Sequence, residues 1–266
     1  MHRNRGTILA ALLLLPTLAT GAELTMRGDT IIRFEEQSAP GMADQTLIPA
    51  TQFLALDARS LGDGNLSLHL YGWGRVDLAD QSRADGDTDG DLGYAYLQYR
   101  APKGDAEMKL GRLWVYEGVA SEKVDGIFLR SDLAGGFTAS FFGGAPVEPD
   151  HQENVGDYVV GGRLGFRTAG MLELGVSGLH ENGVVTGPSS DLKTDRQLVG
   201  GDVWFAPVRF LEVTGHTHYN IVTDGVAEHS YLLSIKPMPV LQLAGEYEEH
   251  NFEHYFASTN LRSLFT

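Results

Sequence analysis

Three groups of side chains in this sequence have the types and spacing to do chemistry. Asp85-Gly-Asp-Thr-Asp-Gly-Asp91 sets carboxylates at alternate positions, matching the first half of a calcium loop. A complete loop needs a bidentate glutamate at its twelfth position, which here is Tyr96. Asp85, Asp87 and Asp89 are therefore weak calcium candidates, set against the plainer alternative of a solvated acidic loop. His216 and His218 stand two apart, a chelating spacing on a strand, with Glu212 on the same side. Arg75, Arg130 and Arg163, joined by Arg112 on a strand of ambiguous face, stay charged when buried. Such groups set the field of a narrow passage, or else fill it as structural ion pairs.

Catalytic signatures are missing. There is no hydrolase elbow, phosphate loop or HExxH helix. Without cysteine there is no thiol nucleophile, thiolate metal site or c-type haem attachment. The chain is expected to be no enzyme and to need no cofactor beyond that weak calcium. Its 20 Lys and Arg face 35 Asp and Glu, a net charge of −15. Leaving out Arg3 and Arg5 of the first 22 residues gives 18 basic residues, hence −17. A chain this acidic lacks the basic face that nucleic acid requires.

The elements that must position these groups are strands. In Asn65–Leu78 the even positions read Leu66, Leu68, Leu70, Gly72, Gly74, Val76 and Leu78, while the odd ones carry Ser67, His69, Tyr71, Trp73, Arg75 and Asp77. A strict period of two marks one apolar and one polar face. The run exceeds the roughly 5–6 residues of a soluble strand and suits a tilted crossing of a bilayer, which takes about 9–11. The same alternation returns at Phe137–Gly144, Val159–Arg167, Val199–Phe205, Leu211–Asn220 and Leu241–Glu248. Ala106–Val115 and Met171–His180 fit less cleanly, as a bulge or an apolar contact on the polar side would cause. The polar faces bring Arg75, Asp77, Tyr94 and Tyr96, then Arg112, Arg130 and Arg163, to one side. Asp202, Trp204, Glu212, His216 and His218 complete the candidates for lining a pore.

Connections alternate in length. Long ones are expected at Ala79–Asp91, Tyr116–Lys123, Pro146–Asp157, Glu181–Asp195 and Asn220–Gly225. Short ones fall at Ala101–Asp105, Asp132–Gly136, Thr168–Gly170, Ala206–Arg209 and Lys236–Pro239. A meander with every second turn on one side has this rhythm, whereas Greek-key sandwiches break it. Tyr99, Phe137, Phe166 and Phe205 lie on apolar faces near short turns, where an interfacial aromatic girdle would sit. Residues 1–22 carry Arg3 and Arg5, then Ile8–Pro16 as an apolar core, then small residues, the pattern of a cleaved export signal. Residues 23–64 are hard to read, with strands expected at Thr30–Glu36 and Gln52–Arg59 and a loop over Ser38–Ala50.

A leader of this kind, period-two strands, alternating loops and Leu110-Gly-Arg112 running into a loop resemble the porin-like β-barrels of Gram-negative outer membranes. The resemblance covers most of Leu66–Glu249 and is architectural, with no short signature. It implies an all-β, antiparallel up-and-down transmembrane barrel over residues 23–266, regular over 65–249, that passes small polar or charged solutes by diffusion. It also implies an outer-membrane location among lipid, insertion by the assembly machinery of that membrane, and a homotrimer as the common assembly. Two departures stand out. The chain ends in Thr266 rather than an aromatic, and eleven strands over Leu66–Glu249 with two harder to read before them make about thirteen, where bacterial barrels hold an even number. Fourteen or more strands are expected, either from a strand over Phe252–Phe265 or because the sequence stops short. Two other functions compete: a barrel that sheathes or docks an outer-membrane electron-transfer partner, and a soluble secreted β-protein.

Overall fold

The computed structural model describes residues 22–38, 44–79, 88–147, 157–168, 170–186, 191–251 and 254. The expected export signal, Asp85, Asp87 and nearly all of the strand expected over Phe252–Phe265 lie outside the described residues. The chain forms two compact units, Met1–Pro102 and Lys103–Thr266.

In the first unit, β1 (Glu23–Ile32) is followed by a small hairpin of β2 (Glu35–Gln37) and β3 (Gln45–Leu47). Then β4 (Pro49–Leu61), β5 (Leu66–Asp77) and β6 (Thr88–Arg100) complete a meander in which β1 pairs with β4, β4 with β5 and β5 with β6, all antiparallel. The strand expected at Thr30–Glu36 instead ends at Ile32. The ladder breaks at Arg33 and Phe34, where the Arg33 amide turns to the Pro49 carbonyl at 3.1 Å.

The second unit is a longer meander of nine strands. They are β7 (Ala106–Glu117), β8 (Ala120–Asp132), β9 (Phe137–Pro146), β10 (Tyr158–Thr168), β11 (Leu172–Thr186), β12 (Asp191–Val208), β13 (Leu211–Asn220), β14 (Gly225–Met238) and β15 (Leu241–His250). Each pairs antiparallel with the next, so the whole chain is all-β with thirteen long meander strands among the described residues. β1 has a strand partner on one side, as has β15, and every residue of both is exposed.

Alternation decides which side chains meet. Phe137 of β9 opposes Phe166 of β10, Phe166 opposes Leu174 of β11, and Leu174 opposes Val203 of β12. The Phe137 and Phe166 rings sit 5.1 Å apart. Along this face Leu164 and Val176 are each 62% exposed. The buried apolar residues Phe128, Phe142, Val159, Leu179 and Leu198 lie on the opposite, otherwise polar face.

Two connections expected to be long are strand instead. β7 and β8 run almost into each other, leaving Gly118 and Val119 as the turn. β11 continues to Thr186, and β12 begins at Asp191. Charged residues in both stretches read as loop because they interrupt the apolar alternation. In the fold Glu122 and Glu181 are neutralised by Arg196 across strands instead of by water.

Candidate functional site

Residues opposed in an antiparallel ladder point to the same side of the sheet. The register of the second unit therefore draws one row across nine strands: Glu107, Arg130, Ser140, Arg163, Ser177, Gly200, His218, Glu228 and His250, from β7 to β15. This row is the polar face, with acidic, basic and imidazole groups side by side.

The tip of the β7–β8 hairpin lies back over that row. Glu117 stands next to Ala120 in the hairpin and ten strand positions beyond the partner of Arg130. Yet its carboxylate accepts from Ser140 Oγ at 3.2 Å and lies 3.6 Å from Arg130 Nη1. At the turn, the Val119 amide donates to Ser177 Oγ at 3.0 Å. Gly118 has φ 58°, and a Cβ there would collide with Ser177. Both the left-handed backbone and the close approach thus call for glycine. Val119 meets the sheet at Gly200, where a side chain would displace it. Leu113, Val115 and Val124 of the hairpin are buried, together with Phe142 and Val159 of the sheet's polar face. This is the apolar contact that disturbed the alternation of Ala106–Val115.

A buried ion triad holds the hairpin down. Arg196 of β12 opposes Glu181 of β11 directly. Its Nε donates to Glu181 Oε2 at 2.9 Å, and its Nη2 donates to Glu122 of β8. Arg196 is 8% exposed and Glu181 1%. A desolvated guanidinium flanked by two carboxylates is stable only while both partners remain.

The expected arginines are all paired. Arg163 donates from Nε to Asp202 Oδ1 at 2.9 Å, from Nη2 to Asp202 Oδ2 at 2.5 Å and from Nη2 to Glu173 at 3.1 Å. Gly175 of β11 lies beneath this bridge, and a Cβ on it would strike both Arg163 and Asp202. Arg112 makes a two-point bond with Asp125 at 2.7 Å for each contact. Its ambiguous face is resolved: it shares the exposed side of β7 with Trp114 and Tyr116, opposite buried Leu113 and Val115. Trp114 and Tyr116 stack there at 5.9 Å. Arg130 is the loosest of the four, its one charged contact among the described residues being the 3.6 Å approach to Glu117.

In the first unit Arg75 opposes Asp89 and lies 3.5 Å from it. A cavity of about 310 Å³ opens beside this pair, between Arg33, Glu35 and Thr51. Asp77 is a correction. Rather than standing free on the polar face, it is buried and accepts from the Ile48 amide at 2.8 Å and the Ala79 amide at 3.1 Å. At a strand end, unpaired backbone donors claim the nearest carboxylate. Tyr94 and Tyr96 belong to an aromatic stripe: Tyr71 lies 5.6 Å from Tyr94, Tyr94 5.8 Å from Tyr96, and Tyr96 stacks on His69 at 5.0 Å. Asp89, the described member of the calcium candidates, is engaged by Arg75.

The histidine pair also needs correcting. Glu212 accepts from Trp204 Nε1 at 2.9 Å and does not join His216 and His218. Four residues along a strand is roughly 13 Å, too far for a shared ligand. The carboxylate that does join them is Glu228 of β14, directly opposite His218.

No family model matches the chain, and no curated protein matches it. Among solved structures it is similar to Pseudomonas aeruginosa OccD3 (OpdP), at 12% identity and TM-score 0.37, over 92% of this chain and 64% of that one. It is also similar to Pseudomonas aeruginosa OccK9 (OpdG), at 15% identity and TM-score 0.33, over 88% of this chain and 79% of that one. The chain thus spans less than two thirds of the length of OccD3. At these identities neither likeness says what this chain does.

Glu117, Glu122, Glu181, Arg196 and Glu228 were not legible as site residues in the sequence. Their partners lie on other strands, up to 74 residues away. The local hint for the hairpin is Gly118, a glycine in the middle of the connection Tyr116–Lys123.

Proposed function

We propose that this chain is a porin-like channel of the outer membrane, passing small polar or charged solutes through a lumen lined by the polar faces of its strands. The observation that carries this reading is the β7–β8 hairpin folded over the polar row and clamped by Arg196, while the opposite face exposes large apolar residues. A sheet with Leu164, Val176, Phe137 and Phe141 exposed needs a lipid-like solvent on that side. A hairpin laid across the other side narrows whatever passes there. Its outward surface presents Arg112, Asp125, Trp114 and Tyr116, a charged pair beside an aromatic shelf. Closure of the strands into a barrel, export through a cleaved signal, insertion by the outer membrane's assembly machinery and a homotrimeric state belong to the same reading.

The test is conductance of the purified protein in planar bilayers. Discrete steps are expected, growing when Glu122→Gln, Glu181→Gln and Arg196→Met together release the hairpin. A protein that stays monodisperse in water without detergent, or that inserts and never conducts, would sink the proposal.

A further inference from the structure

We propose that His216, His218 and Glu228 form a binding site for a divalent transition-metal ion of the zinc type on the polar face of the second unit. His216 Nε2 lies 2.8 Å from Glu228 Oε1, and His218 Nδ1 lies 3.5 Å from Glu228 Oε2. The donor atoms of all three residues fall within 4.8 Å of one another. The two imidazoles stack with centroids 4.5 Å apart and planes 27° from parallel. Zinc takes imidazole nitrogen and carboxylate oxygen at about 2.0–2.2 Å, so donors around a tetrahedral ion stand roughly 3.4 Å from each other. The three donors lie within 4.8 Å of one another, so closing on an ion takes shifts of about an ångström and replaces the His216–Glu228 hydrogen bond. Calcium and magnesium are poorly served, since they want six or more oxygen ligands. Two nitrogens and one carboxylate suit zinc or copper, with water completing the shell.

The backbone explains why these groups converge. His216 and His218 are two apart on β13 and share a face. Glu228 opposes His218, and immediately beyond that pair the ladder slips, Tyr219 pairing with Val226 and leaving Ala227 unopposed. Such a bulge re-aims the side chains next to it. Asp202 faces His216 from β12 and is itself fixed by Arg163, while His250 faces Glu228 from β15. The site lies on neighbouring strands of one unit and does not depend on conductance.

The experiment uses residues 23–266 refolded in detergent, stripped of metal and titrated calorimetrically with Zn²⁺ alone. One saturable ion per chain is expected, with Ca²⁺ failing to compete. His216→Gln and Glu228→Gln should each weaken it by more than the roughly 10–100-fold that follows loss of an outer partner. His229→Gln removes a histidine whose hydrogen bond to Thr217 lies on the other face of β14, and it should leave affinity unchanged. Co²⁺ should give a visible absorption band with the parent chain and not with the two weakened variants. Absence of saturable binding, or binding that survives both substitutions, overturns the site. Should Glu228→Gln not refold, His218→Gln takes its place with the same expected loss.

Discussion

Arg196 and Glu122, 74 residues apart in sequence, meet in a buried ion pair that joins the sheet to the hairpin lying on it. With Glu181 on its other side, Arg196 neutralises two carboxylates where water does not reach. Removing one member leaves an uncompensated charge, so Arg196→Ala should cost about 3–5 kcal/mol. Arg196→Met together with Glu122→Gln and Glu181→Gln should cost much less, since no buried charge is left over. Urea unfolding in detergent micelles distinguishes the two. Equal losses for the single and triple variants would mean that packing, not charge, secures the hairpin.

Gly175 tests the Arg163–Asp202 bridge. Gly175→Ala places a methyl where the guanidinium and carboxylate cross, and should lower the unfolding midpoint. Gly201→Ala, on the facing strand, meets its nearest neighbour at 3.7 Å and should be tolerated. Were both alanines equally mild, the bridge would not follow this path.

The lipid-facing assignment predicts an asymmetry between neighbouring faces. Val176→Arg, on the apolar face, should cost about 2–4 kcal/mol if it lies near mid-bilayer. Thr214→Arg, on the polar face of β13, should be nearly silent. The readout is the folded fraction in lipid vesicles, where a folded barrel resists denaturation on a gel. Matching penalties would refute the choice of faces.

Among the arginines, ion selectivity should follow Arg130. Arg163 is committed to Asp202 and Glu173, whereas Arg130 has, among the described residues, one long contact with Glu117. Arg130→Gln should move the reversal potential under a salt gradient towards cations, and Arg163→Gln should chiefly lower stability. An unmoved reversal potential in Arg130→Gln would remove that residue from the permeation path.

The meander was largely visible in the sequence, because a period of two survives wherever one face is apolar. Leu211–Asn220 could be assigned face by face before its neighbours were known. Legibility failed where a polar face buries something. Leu113 and Val115 break the alternation of β7 because they form the buried underside of the hairpin, and Glu181 and Arg196 imitate a loop because they are charged. Glu228 could not be linked to His218 without the register, including the bulge next to it. The parity of side chains is local, but the row in which they stand is set by nine strands together.

That row has a consequence for how the chain avoids errors while folding. Sliding β10 by a single residue against its neighbours would turn Arg163 and Arg167 outwards and bring Leu164 and Phe166 inwards, because side chains alternate. In water such a slip sacrifices a few ion pairs and little else. In hydrocarbon it strands two guanidinium groups without partners, a misalignment costly enough to be rejected before neighbouring strands set around it. In the proposed membrane setting the bilayer would thus act as proofreader, accepting the one alignment in which every charge of the row is turned away from it.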